Sequence, residues 1–166
     1  MEDQVSTLSD IVKKDTPRIR TATQSDLPDL LSLCKELYEE NGLTGVDWRL
    51  VGDLLSRATS GDGAVLGVIG SPGAIEGAIY LQISHTWYSK EPHLEELFSY
   101  VRPQFRRSIN AKVLIEFAKK CSEQLKIPLL IGIISNHRTE QKIRLYRRQL
   151  GEQAGAFFLF NGHTGK

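Results

Sequence analysis

Cysteine is scarce in this chain: Cys34 and Cys121 are the only two, and neither stands in a CxxC spacing. Two thiols build no disulfide framework, so a reducing compartment, the cytoplasm, is the expected location. Histidine is sparse too. His85, His93, His137 and His163 stand apart, with no HExxH pair and no cysteine at ligand spacing, so no metal site is expected. No apolar run approaches the ~18 residues that a membrane span needs. The opening MEDQVSTLSD is polar and acidic, so neither membrane insertion nor a secretion signal is expected. Internal repeats and low-complexity stretches are lacking as well.

What remains is the composition of a globular protein. The 166 residues are 40% apolar and 25% charged, which suits one domain with a sizeable core and excludes a disordered or fibrous chain. Residues 1–17 lack periodicity and end at Pro17, and they read as a mobile or loosely docked N-terminal arm. Residues 18–166 read as a single domain. The formal net charge of +1 hides a division along the chain. Residues 1–101 hold 8 Lys/Arg against 16 Asp/Glu, and residues 102–148 hold 12 against 3. Such segregation points either to two surfaces with different partners or to helix faces solvated by different signs.

Hydrophobic periodicity orders the elements. Arg18–Thr23 alternates and suits a strand; Ser25 then offers a helix cap, with Leu27, Leu30, Leu31, Cys34, Leu37 and Tyr38 at helical spacing up to Asn41-Gly42. A second helix is expected from about Asp47. Ala64–Ile69 and Ile75–Gln82 read as a hairpin turning through Gly70-Ser71-Pro72-Gly73, Thr86–His93 as a loop, and Leu94–Val101 as a further strand. A helix from about Ile109 to Leu125 precedes Leu129–Ile134, a continuous apolar run of the kind found in strands buried on both faces. A basic helix, about Arg138 to Leu150, and a last strand, Gly155–Phe160, complete the chain. The order β-α-α-β-β-β-α-β-α-β predicts an α/β (α+β) fold. Its mixed, mostly antiparallel sheet has helices on both faces and a β-α-β crossover in the second half.

One segment carries chemistry. Val101-Arg102-Pro103-Gln104-Phe105-Arg106-Arg107-Ser108-Ile109-Asn110-Ala111 runs from a strand end through a basic turn into a helix N-terminus. Unpaired N–H groups, the positive end of the helix dipole and arginines make such a place attractive to a polyanion. The segment resembles motif A of the GNAT family of acetyl-CoA-dependent N-acetyltransferases, roughly V-x-P-x-[FY]-[QR]-x-x-G-x-[GA], matched by Val101, Pro103, Phe105, Arg106 and Ala111. Asn136 and the later Leu145-Tyr146-Arg147-Arg148-Gln149-Leu150-Gly151 resemble the family's motif B, and the element order agrees from about Arg18 to Phe160. Two departures stand out. Ile109 replaces the motif glycine, and Asn136 stands ten residues before Tyr146, further than the family's usual spacing.

The resemblance implies acetyl-CoA as co-substrate, held by Val101, Arg106, Arg107, Ser108, Ile109, Asn110, Ala111 and Asn136. It further implies transfer of the acetyl group to a primary amine by direct attack in a ternary complex, with Tyr146 as the acid that protonates the leaving thiolate. For the base, Leu94-Glu95-Glu96-Leu97-Phe98 resembles an LEDLF segment found in some members, with Ser99-Tyr100 inserted before V-x-P. A regular strand would turn Glu95 to the cleft and Glu96 away; a bulge would change which faces in. His85, Glu91 and His93 are reserves. Lys142, Arg144, Arg147 and Arg148 could reach a phosphate or form a solvated face. The acceptor is a small-molecule or peptide amine, with contacts expected from Thr86–His93 and Val46–Ser60, and homodimerisation is left open. Two other readings compete: a catalytically silent protein of this fold, and a nucleic-acid-associated protein using the basic 102–148 segment. No RNA- or DNA-binding signature accompanies that charge.

Overall fold

The computed structural model describes residues 18–135, 138–158 and 160. Strand β1 (Ile19–Thr21) leads into a turn built on one buried carboxylate. Asp26 accepts from the backbone N–H of Thr23, and Arg20 donates to both its oxygens at 2.8 and 2.7 Å. The turn is therefore capped from Thr23 rather than Ser25. Helix α1 (Leu27–Asn41) buries Leu30, Leu33 and Cys34 along its apolar stripe and stops at Gly42. Helix α2 (Trp48–Ser60) starts where the Asp47 carboxylate accepts from the N–H groups of Arg49 and Leu50.

Strands β2 (Ala64–Ser71) and β3 (Ala74–His85) form the expected hairpin, and β4 (Pro92–Val101) follows. Helix α3 (Asn110–Leu125), the short β5 (Leu129–Leu130) and helix α4 (Thr139–Leu150) complete the described elements. The sheet order is β1-β2-β3-β4-β5; neighbours are antiparallel except β4 and β5, which run parallel across the α3 crossover.

Strand alternation divides the core in two. On one face Leu66, Val68, Ala78, Tyr80 and Tyr100 pack against α1 and α2. On the other, Val65, Ile79, Leu81, Leu94 and Val101 pack against Leu114, Phe117, Ala118 and Cys121 of α3. Close approach of α3 depends on Gly67: a Cβ there would lie 2.7 Å from the Phe117 ring.

Two expected strands differ. Leu129–Ile134 pairs only through Leu129 and Leu130, and Leu130 and Ile134 are 51% and 59% exposed. The apolar run therefore is not buried on both faces; hydrophobicity alone does not say how many neighbours a strand will have. Gly155–Phe160 was expected to pair as well, yet residues 155–158 and 160 form no strand, and Phe157, Phe158 and Phe160 are exposed, Phe157 at the rim of the cleft described below. Position 159 lies outside the described residues, as do Asn136, His137, His163 and the N-terminal arm. Among the described residues no helix is long and apolar enough to cross a membrane.

Candidate active site

The site begins with an irregularity in β4. Opposite β3, Phe98 pairs with Tyr80 but Glu96 pairs with Leu81, so Leu97 is an extra residue. The bulge breaks the alternation that would put Glu96 and Phe98 on one face. Phe98 joins Tyr80 on the α1/α2 side, and Glu96 follows Leu81 to the α3 side. Glu95 keeps company with Gln82, whose Nε2 donates to its carboxylate at 3.1 Å.

At the same level the sheet opens. Pairing of β4 with β5 ends at Glu95 and Leu130; beyond it no backbone ladder joins β4 to residues 131–135. A cleft of about 470 Å³ fills the gap, lined by Glu95 to Ser99, Leu130 to Ser135, the C-terminal half of α1 with Leu43 and Thr44 after it, Lys142 and Tyr146 of α4, and Phe157. It therefore reaches from one face of the sheet to the other.

Three side chains meet on its α3/α4 side. Burial pushes the Glu96 carboxyl up to about 7, a rise moderated by the Gly132 N–H donating to Oε2 at 3.3 Å. Tyr146 is pushed upward by burial and by the neighbouring Glu96, while the Ser99 side chain hydrogen-bonds its hydroxyl. A tyrosine in this state stays protonated and remains a donor, and a carboxyl near 7 exchanges its proton at neutral pH. The cysteines are unlike this: Cys34 and Cys121 are buried, and burial pushes both thiols up to about 12. Neither offers a thiolate nucleophile.

The basic turn lies at the C-terminal end of β4. Ile109 adopts φ −84°, a conformation open to any residue, and its side chain is exposed. Replacing glycine there costs no backbone strain. Among the described residues, the N–H groups of Arg107, Ile109, Ala111 and Lys112 meet no acceptor, as expected in the first turn of a helix. Arg107 is exposed and makes no ion pair among the described residues. Ser108 Oγ accepts from the Asn110 N–H and donates to the Phe105 carbonyl at 2.6 Å, tightening the turn.

Two of the expected ligands point elsewhere. Asn110 is buried, and its amide donates to Glu76 of β3 at 2.7 Å, anchoring the helix start to the sheet. Arg106 turns inward, donating from Nε to the Val101 carbonyl at 2.9 Å and from Nη2 to Glu40 of α1, with its guanidinium 5.2 Å from the Tyr100 ring centre. Arg102 likewise bridges to Asp29 at 2.9 Å and Glu36 at 3.0 Å. The acidic first half and the basic second half of the chain thus meet each other at these pairs. Lys142 donates to Ser135 Oγ at 2.6 Å, and Arg147 lies 3.5 Å from Glu152. His85, Glu91 and His93 do not line the cleft.

The sequence reading did not single out Ser99, Gly132 or Glu40. Nothing local marks the first two, because the bulge and the strand parting bring them to the site. Glu40 is one of three acids on α1 that meet arginine partners more than sixty residues away.

No protein-family model matches the sequence, and no curated protein does. Solved structures do resemble it. An acetyltransferase of Trypanosoma brucei is 23% identical and aligns with TM-score 0.63 over 86% of this chain and 96% of its own. AAC(6')-Iy, solved with the bisubstrate analogue CoA-S-monomethyl-acetylneamine, is 17% identical, with TM-score 0.66 over 86% and 95%. A ribosomal-protein-alanine N-acetyltransferase of Brucella melitensis is 12% identical, with TM-score 0.63 over 86% and 96%. This chain has the GNAT acetyltransferase fold.

Proposed function

We propose that the protein transfers an acetyl group from acetyl-CoA to a primary amine by direct attack. The observation that carries this reading is the parting of β4 and β5 beside Glu96, Ser99 and Tyr146, on the strand that runs on into the unpaired N–H groups of the α3 start. A polyphosphate fits that helix start: the free N–H groups of Arg107, Ile109, Ala111 and Lys112 and the exposed Arg107 supply donors, and the Ile109 side chain points outward. Val101 and Ser108 hold the turn in shape, Arg106 and Asn110 brace it, and Asn136 is left as a candidate contact. The unpaired edges of β4 and of residues 131–135 can bond an amide-containing arm laid between them.

Within the cleft Glu96 accepts the proton of the incoming ammonium, leaving the nitrogen lone pair free to attack the thioester carbon. As the C–N bond forms and the C–S bond breaks, Tyr146 donates its proton to the sulfur, and the second proton released by the nitrogen restores the tyrosine hydroxyl through solvent. Glu95 offers a carboxylate on the opposite side to hold the amine. The high thiol pKa values of both cysteines support transfer without an acyl-enzyme.

The test is thermal. Acetyl-CoA at about 100 times its Kd should stabilise the fold by about 2.7 kcal/mol and raise the melting temperature by a few degrees. The thiol should appear stoichiometrically with acetylated amine. A melting temperature unmoved by millimolar acetyl-CoA would overturn the proposal.

A further inference from the structure

The cleft has two sides of different character. The α3/α4 side carries Glu96, Ser99 and Tyr146. The α1/α2 side is walled by Leu37, Tyr38, Asn41, Leu43, Thr44 and Phe98, and Glu95 is its one carboxylate among the described residues. With the thioester on the first side, an acceptor must enter from the second.

We infer that the acceptor is a singly charged primary amine on an apolar or aromatic body, a conclusion that rests on the acetyl-transfer reading. A polycation such as a polyamine or aminoglycoside needs several anions around it, because each ammonium taken from water without a partner is costly. Helix α1 carries acids that could have supplied them, but they are engaged. Asp29 and Glu36 pair with Arg102, and Glu40 pairs with Arg106. Glu39 is exposed and does not line the cleft. One ammonium can meet Glu95, fixed by Gln82, while the carbon body covers the leucines and aromatic rings and removes them from water. A second ammonium along the same wall meets leucines, aromatic rings and the neutral side chains of Asn41 and Thr44, and no further carboxylate among the described residues.

The test compares phenethylamine, a short peptide beginning with phenylalanine, spermidine and kanamycin as acceptors with the full chain, following thiol release from acetyl-CoA. We expect kcat/KM for phenethylamine or the peptide to exceed that for either polycation by about tenfold or more. The better of those two identifies the source of the amine, a free monoamine or a chain terminus. Spermidine or kanamycin matching or surpassing both overturns the acceptor inference and leaves acetyl transfer standing. Release with none of them overturns the acceptor inference, and the acetyl-CoA melting shift reports separately whether the thioester site exists. Leu43→Asp, in the loop after α1, places a second carboxylate on this wall. It should narrow the preference by about tenfold; an unchanged ratio in a folded variant overturns the assignment of this wall.

Discussion

Substituting Glu96 by glutamine separates what burial costs the fold from what it contributes to the reaction. The carboxyl moves from 4.5 in its ordinary state to about 7 in the folded protein because ionisation inside the cleft is poorly solvated. Below 4.5 the group is neutral whether folded or unfolded, and it contributes nothing pH-dependent. Between 4.5 and 7 the unfolded chain has lost the proton that the folded chain keeps, so stability falls as pH rises. Above 7 both states are ionised and the loss is complete. Two and a half units at ~1.36 kcal/mol each give about 3 kcal/mol. Glutamine keeps an oxygen for the Gly132 N–H and carries no charge. Denaturant unfolding at pH 5 and pH 8 should therefore show Glu96→Gln gaining about 3 kcal/mol relative to wild type at the higher pH. Activity should move the opposite way. In wild type kcat/KM should rise through pH 7 as Glu96 ionises, and that limb should vanish in the variant along with most of the rate. A stability difference independent of pH would refute the buried-carboxyl argument. A pH 7 limb surviving in Glu96→Gln would remove it as the base.

The other predictions concern the acid and the basic turn. Tyr146→Phe removes the proton donor while keeping the ring, so kcat should fall by about 100-fold with little change in the acetyl-CoA KM; an unchanged kcat would rule the hydroxyl out. Arg107→Ala should leave the melting temperature in place and weaken acetyl-CoA binding about fivefold at low ionic strength, with the deficit shrinking as salt rises. Arg106→Ala should behave differently. It removes the donor to the Val101 carbonyl and leaves Glu40 with only the Tyr100 hydroxyl, so unfolding measurements should show about 2 kcal/mol lost before any ligand is added. Equal stability of the two arginine variants would contradict the contacts seen for Arg106.

Much of this protein was legible without coordinates because the signals are local. Helical spacing of Leu30 and Cys34, the Pro72-Gly73 turn and the apolar stripe of α3 depend on residues a few positions apart, and all three appear where expected, although α1 buries Leu33 more deeply than the expected Leu31. The element order and the basic turn before a helix sufficed to suggest the fold family, and the motif position of Tyr146 brought it into the cleft beside Glu96. Strand parity could not choose between Glu95 and Glu96. That choice rests on the bulge at Leu97, which is a property of how β4 registers against β3. The charge split also changed meaning in three dimensions. It pointed to two surfaces with different partners or to differently solvated helix faces, yet Asp29, Glu36 and Glu40 meet Arg102 and Arg106 from the basic half. Composition records how many charges a chain carries, whereas folding decides which of them neutralise one another and which are left for a ligand. Likewise the apolar runs at 129–134 and 155–160 were read as strands, but a strand needs a partner edge. Only the tertiary structure shows β5 ending after Leu130, and that ending opens the cleft.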